Sequence, residues 1–133
     1  MKYEFGKEKA FEILENAYCP YSNFPVGSCV VCHDGSYYCG VNIENCAYNS
    51  GICAERVALF NAISAGKKAD DIAYVVIVSK AKIISYSCCA CRQVFVELLN
   101  MKTPVVFSNG VFESVKTVEE LVPYPFTGKD LER

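Results

Sequence analysis

Residues 72–78 read IAYVVIV, a continuous apolar run that is rich in β-branched side chains. A run of this kind is typical of a strand that is covered on both faces of a sheet. Segments with the apolar character of helices flank it at residues 52–65 and 90–100, and Gly66 follows the first of them. The stretch therefore predicts a central strand with helices packed around its sheet.

Before this strand, the sequence predicts a helix and then a β-hairpin. Residues 8–18 place Phe11, Leu14 and Tyr18 at helical spacing. The β-rich runs VGSCVVC and YYCGVNI follow, separated by HDGS, in which Asp34-Gly35 is a strong turn signal. Both runs are therefore predicted to pair as neighbouring strands.

After the second flanking helix, two short β-rich runs, PVVF and VFESVK, surround the turn sequence SNG. TVEELVP then predicts a short helix, with Thr117 as its N-cap. Strands that alternate with helices in this order indicate an α/β fold. We expect a three-layer α/β/α sandwich around a mixed five-stranded sheet.

The composition of the chain limits its size class, partners and location. Its 133 residues, 52% of them apolar, fit a single domain over residues 1–133. The net charge is −2 and no basic run stands out, which argues against a nucleic-acid partner. The N-terminus lacks the apolar segment of a signal peptide, and the longest apolar run is too short to span a membrane. We therefore expect a cytoplasmic protein without a membrane partner.

The chain has nine cysteines but one histidine, His33, which falls in the hairpin turn and is predicted to be exposed and without a role. An odd cysteine count without a secretion signal argues against a disulfide framework. We expect a few cysteines to be metal ligands or nucleophiles and the others to be small buried apolar residues. The nine are Cys19, Cys29, Cys32, Cys39, Cys46, Cys53, Cys88, Cys89 and Cys91.

Three of these cysteines stand where a helix is predicted to begin. Cys88 and Cys91 form a C-x-x-C pair in YSCCACRQVF, and Cys53 lies at a similar place in GICAERVALF. Helix N-termini favour thiolates, and three thiolates with an open fourth position are the pattern of a catalytic zinc site. Buried free cysteines are the alternative interpretation.

Two further interpretations concern the C-x-x-C pairs. Cys29 and Cys32, in CVVC, could join Cys88 and Cys91 in a structural four-cysteine zinc site. However, positions i and i+3 of a strand point to opposite faces of a sheet, so CVVC could not chelate an ion without a turn. A redox role for one pair is also open, although no thioredoxin-like context surrounds either of them.

Glu55 favours a catalytic over a structural metal. It follows Cys53 by two residues on an apolar helix. A carboxylate there is costly to bury unless it has a catalytic role or a charged partner. There it is placed to take a proton from a zinc-bound water. Arg56 would offset the negative charge of three thiolates on Zn²⁺. Alternatively, Glu55 could be a first-turn glutamate that the helix dipole stabilises, and Arg56 could form a surface salt bridge.

The motifs NFPVG, GVNIENCAY, CAER and CACRQV, in this order, resemble the small zinc-dependent cytidine deaminases of nucleoside salvage. The resemblance extends from about residue 8 to the final PFTGKDL. It implies the cytidine deaminase fold, Zn²⁺ as the cofactor, a small nucleoside substrate and a homotetramer with shared active sites. Cys53, Cys88 and Cys91 would hold the zinc, with Glu55 as the proton carrier.

The resemblance also implies roles for residues that contact the substrate. Asn42 and Glu44 would bind the ribose 3′-hydroxyl, and Phe24 would line the base pocket. The amide of Ala54 would read the carbonyl of the base. Tyr48 and Phe126 would reach into the site of a neighbouring subunit, where Phe126 would stack on the base.

The chain departs from the family pattern at two positions beside the predicted metal site. Where the family usually has proline and glycine, this chain has Ser87 and Cys89. Serine does not fix φ as proline would, but it can cap a helix. Cys89 adds a thiol that could compete as a ligand or be oxidised. We expect Cys88 and Cys91 to remain the ligands because they keep the C-x-x-C spacing.

These observations predict an enzyme that hydrolyses cytidine and deoxycytidine to uridine and deoxyuridine with release of ammonia. A deaminase of a modified nucleoside such as blasticidin S is an alternative, although VNIEN favours an ordinary ribose. A polynucleotide deaminase is another alternative, but this chain is short of the basic surface that such an enzyme would need. A structural zinc module or an inactive binding protein would not need Glu55.

Overall fold

The computed structural model describes residues 2–132. Within this range the chain forms one sheet, with the strand order β2-β1-β3-β4-β5. Strands β3 and β4 are parallel, and the other neighbouring pairs are antiparallel, which confirms the predicted mixed five-stranded sheet. The strands are β1 (Val26–Cys32), β2 (Tyr37–Val41), β3 (Ile72–Ser79), β4 (Pro104–Ser108) and β5 (Glu113–Thr117).

Four α-helices and four short 3₁₀ segments accompany the sheet within the same range. The α-helices are α1 (Glu4–Ile13), α2 (Ala54–Ser64), α3 (Cys89–Leu98) and α4 (Val118–Leu121). The 3₁₀ segments are Leu14–Asn16, Tyr48–Ser50, Ala69–Asp71 and Gly128–Leu131. None of the helices in this part of the chain is both long and apolar enough to cross a membrane.

The central strand β3 explains the layering. Its alternate side chains enter two different cores, because successive residues of a strand point to opposite faces. Val75 and Ile77 pack with α2, α3 and α4, whereas Val76 and Val78 pack with α1. Helices therefore cover both faces of the sheet, as a continuous apolar strand requires. The predicted three-layer α/β/α sandwich is confirmed.

The first helix differs from its prediction. It was expected over residues 8–18 but runs over Glu4–Ile13, and Tyr18 lies outside it with its side chain 55% exposed. The Tyr18 amide donates to the Asn42 carbonyl at 3.0 Å, and its own carbonyl accepts from the Glu44 amide at 2.8 Å. Pairing with this distant segment replaces the helical hydrogen bonds that the local spacing suggested.

The other elements agree with the sequence to within about two residues. Helices α2 and α3 begin at Ala54 and Cys89, close to the predicted positions 52 and 90. Thr117 caps α4, since its side-chain oxygen accepts from the amide of Glu120 at 3.2 Å. His33 is exposed in the hairpin turn, as predicted.

Helix α2 packs unusually close to β2 because β2 contains Gly40. A Cβ at this position would lie 2.5 Å from the amide nitrogen of Ala58 and 2.8 Å from the carbonyl oxygen of Ala54. Both atoms are backbone and cannot rotate away. The absence of a side chain at Gly40 therefore sets the distance between the sheet and the first turns of α2.

We predict that Gly40→Ala lowers the free energy of unfolding by about 1–3 kcal/mol, because α2 must shift away from the sheet. Gly128→Ala is the matched control, since a Cβ there meets no atom within 4 Å. It should change stability by no more than about 0.5 kcal/mol. Denaturant unfolding measures both variants, and equal stability of the two would contradict the packing argument.

Candidate active site

The starts of α2 and α3 meet at a cleft beside the carboxyl ends of β3 and β4. Cys53 is the N-cap of α2, Cys88 is the N-cap of α3, and Cys91 is fully buried in the first turn of α3. The cleft has a volume of about 710 Å³, and Cys53 and Cys88 line it. The predicted convergence of two helix entrances at this edge is therefore present in the structure.

The three cysteines form a group that fits a metal ion. Their Sγ atoms all lie within 4.8 Å of one another, and those of Cys53 and Cys88 are 3.8 Å apart. Three convergent sulfur donors suit zinc, which binds thiolates readily. Within residues 2–132, Cys89 is not part of this group and faces a separate shallow groove beside Arg92.

The second C-x-x-C pair cannot contribute to this group. Cys29 packs in the core beneath α1, whereas Cys32 packs in the core beneath α2 and α3. Their side chains therefore point to opposite faces of the sheet, as the strand geometry predicts. The interpretation as a structural four-cysteine site is wrong.

Electrostatics around Cys53 favour a thiolate. Hydrogen bonding with Cys91, and then with Arg56 and Cys88, lowers the pKa of Cys53 to about 5. The Arg56 Nη2 atom donates to the Cys53 Sγ at 3.5 Å. The pKa of Cys91 is raised, chiefly because it hydrogen-bonds to Cys53. The Cys53 sulfur is therefore favoured as a thiolate next to the guanidinium of Arg56.

Glu55 is buried beside this group and lines the cleft, with 4% of its surface exposed. Burial raises the pKa of its carboxyl above the usual value, because the charged form loses hydration. A carboxyl group in this environment can both accept and release a proton closer to neutral pH. It lies in the first turn of α2, two residues after the N-cap Cys53.

Asn42 and Glu44 also line the cleft, and both side chains form hydrogen bonds with backbone groups as well. The Oδ1 atom of Asn42 accepts from the Val26 amide at 2.9 Å, and its Nδ2 atom donates to the Phe24 carbonyl at 2.8 Å. The Oε1 atom of Glu44 accepts from the amides of Tyr21 and Ser22, both at 3.0 Å. These bonds fix the segment from Tyr21 to Val26, the first residue of β1.

The other predicted substrate contacts divide into two groups. Phe24, Tyr48 and Ala54 line the cleft of their own chain. Tyr48 is nonetheless 83% exposed. Phe126 is 58% exposed and does not line this cleft, and its carbonyl accepts a hydrogen bond from Gln93. The single chain therefore does not bring Phe126 together with the other predicted site residues.

Sequence reasoning missed several serines of the site. Ser79 and Ser108 end β3 and β4 and line the cleft together with Ser85. The rule that ligands bind at the carboxyl ends of parallel strands could have identified the first two. Ser87 was expected to be able to cap a helix, but this is wrong: Cys88 is the N-cap of α3, and the Ser87 hydroxyl has no hydrogen-bond partner within residues 2–132.

Known proteins are similar in sequence to this chain over most of its length. The family model described as the cytidine and deoxycytidylate deaminase zinc-binding region matches residues 3–89. A cytidine deaminase of Halalkalibacterium halodurans is 41% identical over 93% of each chain. A cytidine deaminase of Sporosarcina psychrophila is 43% identical over 88% of this chain and 85% of the relative. The match to the family model ends before Cys91, whose place at the site rests on the geometry above.

Solved structures agree with this relationship. The crystal structure of a cytidine deaminase from Burkholderia pseudomallei superposes with a TM-score of 0.90 at 38% identity. That match covers 95% of this chain and the whole of the other. A cytidine deaminase from Mycobacterium leprae superposes with a TM-score of 0.79 at 28% identity, over 92% of this chain and 98% of the other. The similarity extends through every layer of the sandwich.

We predict that Cys88→Ser releases zinc, whereas Cys89→Ser keeps about one zinc per chain. The reason is that the Cys88 sulfur belongs to the convergent group and the neighbouring Cys89 sulfur does not. Elemental analysis of the purified variants measures the difference. Zinc retained by Cys88→Ser but lost from Cys89→Ser would show that the adjacent thiol is the ligand instead.

Proposed function

The chain belongs to the cytidine and deoxycytidylate deaminase family and is a zinc-dependent hydrolase of this type, and we propose that its substrates are cytidine and deoxycytidine. The products would be uridine, deoxyuridine and ammonia. The observation that carries this proposal is a buried carboxyl group, Glu55, in a cleft that is also lined by two of the three convergent cysteines, Cys53 and Cys88. That combination supports hydrolysis and is not needed for a purely structural zinc module.

Cys53, Cys88 and Cys91 would hold the zinc ion. When bound, zinc acts as a Lewis acid that lowers the pKa of water and so supplies a hydrolytic nucleophile near neutral pH. Three thiolates leave a Zn²⁺ site with a net charge of about −1, which opposes a further negative charge. The Arg56 guanidinium, which donates to the Cys53 sulfur, would draw off part of that charge.

Glu55 would carry the protons of the reaction. It would take one proton from the attacking water and give it to N3 of the ring, and would then carry the remaining proton of the added hydroxyl to the amine, which leaves as ammonia. The raised pKa of its buried carboxyl suits this exchange, because burial disfavours the charged form and so makes the protonated form easier to reach. Burial also keeps bulk water from competing for those protons.

The substrate would be oriented by groups on both sides of the cleft. Asn42 and Glu44 would bind the ribose 3′-hydroxyl with the polar capacity that their structural bonds leave free. Phe24 would contact the base. The amide of Ala54, the first residue of α2, would donate to the carbonyl of the base, since amides in a first helical turn lack intrahelical partners.

The charges of the cleft favour a nucleoside over a nucleotide. Among the described residues, Arg56 is the only lysine or arginine that lines it, and this guanidinium already contacts the Cys53 sulfur. Glu44 and Glu55 contribute acidic groups to the same lining. A 5′-phosphate would bring negative charge to a cleft without a free cation to receive it.

The proposed assembly is a homotetramer with shared sites. Tyr48, Tyr124 and Phe126 expose large aromatic surfaces, which commonly mark interfaces between proteins. Phe126 lies outside the cleft of its own chain, so in the assembly it would reach into the active site of a neighbouring subunit. Tyr48 lines the cleft of its own chain but is 83% exposed, and it would also reach into a neighbour's site. A cytoplasmic location is proposed as well, because all cysteines in the described range are free thiols, as a reducing compartment maintains.

We predict that Glu55→Gln lowers the turnover of cytidine at least about 100-fold, because glutamine cannot carry a proton. Loss of cytidine absorbance measures the rate, and elemental analysis should find the same zinc content in both proteins. With wild type, cytidine and deoxycytidine should react, and deoxycytidine 5′-monophosphate should react far more slowly. Zinc-loaded wild type without activity on either nucleoside would refute the proposed substrates.

We also predict that subunits carrying Glu55→Gln and subunits carrying Phe126→Ala complement each other. Neither variant alone should be fully active, but mixed assemblies would combine an intact Glu55 with an intact Phe126 of a neighbour in about a quarter of their sites. Co-expression with two affinity tags yields the mixed protein for assay. Activity no higher than that of the parent variants would contradict shared sites.

A further inference from the structure

Two cysteines face each other across the first β-hairpin. Cys29 of β1 is the direct partner of Cys39 of β2. Both side chains lie on the face of the sheet that α1 covers, where Cys29 belongs to the core and Cys39 packs against it. Among the strand pairs of the described residues, this is the position at which two cysteines are opposed. The pair is separate from the three convergent cysteines, which lie beside α2 and α3 on the other face.

The hydrogen bonds of the hairpin show that these two side chains approach closely. The Asn42 amide donates to the Val26 carbonyl at 3.3 Å, and the Cys32 amide donates to the Ser36 carbonyl at 2.9 Å. Each of these hydrogen-bonded pairs lies three positions from the cysteine pair. Since hydrogen-bonded and non-hydrogen-bonded pairs alternate along an antiparallel ladder, the cysteines form a non-hydrogen-bonded pair, in which side chains are closer.

The backbone spacing of such a pair suits a disulfide. The Cα atoms of a non-hydrogen-bonded pair are about 4.5 Å apart, and disulfides span Cα distances of about 4.4–6.8 Å. The hairpin therefore does not need to change its register for the two sulfurs to be joined. In the structure both residues are free thiols, so the pair is present in its reduced form.

The two thiols differ in their surroundings. Cys29 is fully buried, whereas Cys39 is half-buried on β2, an edge strand of the sheet. The Cys39 thiol donates a long hydrogen bond to the Lys9 carbonyl of α1 at 4.0 Å. Interaction with Cys29 lowers the pKa of Cys39, burial opposes this effect, and the charge of Lys9 adds to it. A small oxidant would therefore react first at Cys39, with Cys29 directly opposite it.

We propose that Cys29 and Cys39 form a redox modification site at which a peroxide converts the two thiols into a cross-strand disulfide. The Cys39 sulfur attacks one oxygen of hydrogen peroxide, the O–O bond breaks, and a sulfenic acid and one water are formed. The Cys29 sulfur then attacks the Cys39 sulfur. The S–S bond forms, the S–O bond breaks, and the departing oxygen leaves as a second water with the Cys29 proton. The two thiols are oxidised by two electrons and the peroxide is reduced.

The position of the pair indicates what the disulfide would do. Neither cysteine lines the cleft, so the bond would form away from the proposed zinc site. It would join the edge strand β2 covalently to β1, beside Gly40, against which α2 packs. Closing this loop restricts the unfolded chain, so the oxidised protein should be more resistant to unfolding.

The chemical test treats folded, zinc-loaded protein with hydrogen peroxide and then blocks the remaining thiols with an alkylating reagent. Endoproteinase Asp-N cleaves before Asp34, the only aspartate among residues 1–69, and so separates residues 1–33 from residues 34–69. Mass spectrometry should find these two fragments joined, about 2 Da lighter than their sum, and fragmentation should assign the link to Cys29 and Cys39. Dithiothreitol should separate them.

Variants determine which sulfurs form the link. Cys39→Ser and Cys29→Ala should both abolish the joined fragments. The matched control is Cys46→Ser, which removes a more exposed thiol from the same fragment as Cys39 and should leave the link intact. Fragments that remain joined in Cys39→Ser, or a folded wild type that reacts with peroxide without joining them, would overturn the proposal.

Unfolding supplies a second measurement. The denaturant midpoint of oxidised wild type should be higher than that of the reduced protein and should return to the reduced value after dithiothreitol treatment. Peroxide should cause no such rise in Cys39→Ser. Zinc content should be the same before and after oxidation in wild type, because the pair lies on the opposite face of the sheet. A link that forms only in unfolded protein would contradict the proposed site.

Discussion

Two helix starts converge on three cysteine sulfurs, and this convergence determines how the helices are arranged on the sheet. The three Sγ atoms lie within 4.8 Å of one another although Cys53 and Cys88 are 35 residues apart in sequence. This requires α2 and α3 to lie on the same face of the sheet with their N-termini at one edge. The central strand β3 runs between them in sequence and returns the chain to that edge.

A cluster of this kind is unfavourable for the protein without a counter-charge. Glu55 is almost fully buried beside a thiolate, and the nearby guanidinium of Arg56 has a buried Nε atom without a hydrogen-bond partner in the described part of the chain. Buried charges persist when a partner or a metal ion compensates their lost hydration. Zinc supplies that compensation for the sulfurs and so links the stability of this edge to metal binding.

The sequence was informative wherever local periodicity or residue type determined the outcome. The apolar run of residues 72–78 and the Thr117 cap were predicted correctly, because each depends on neighbours in the chain. The end of α1 was predicted wrongly, since Tyr18 pairs with Asn42 and Glu44, more than twenty residues away. The buried Ser87 hydroxyl, which has no hydrogen-bond partner in the described residues, could not be predicted, because no local pattern indicates such a group.

Asn42 and Glu44 both line the cleft and hold the backbone in place, and this combination has an evolutionary consequence. These side chains line the cleft and also hold the backbone from Tyr21 to the first residue of β1, Val26, through four hydrogen bonds. A substitution that altered sugar preference at either position would also release that backbone. Changes in substrate range should therefore arise more readily at cleft positions whose side chains do not also hold the backbone in place. In this fold, adaptation to new substrates is expected to begin at such positions before it reaches Asn42 and Glu44.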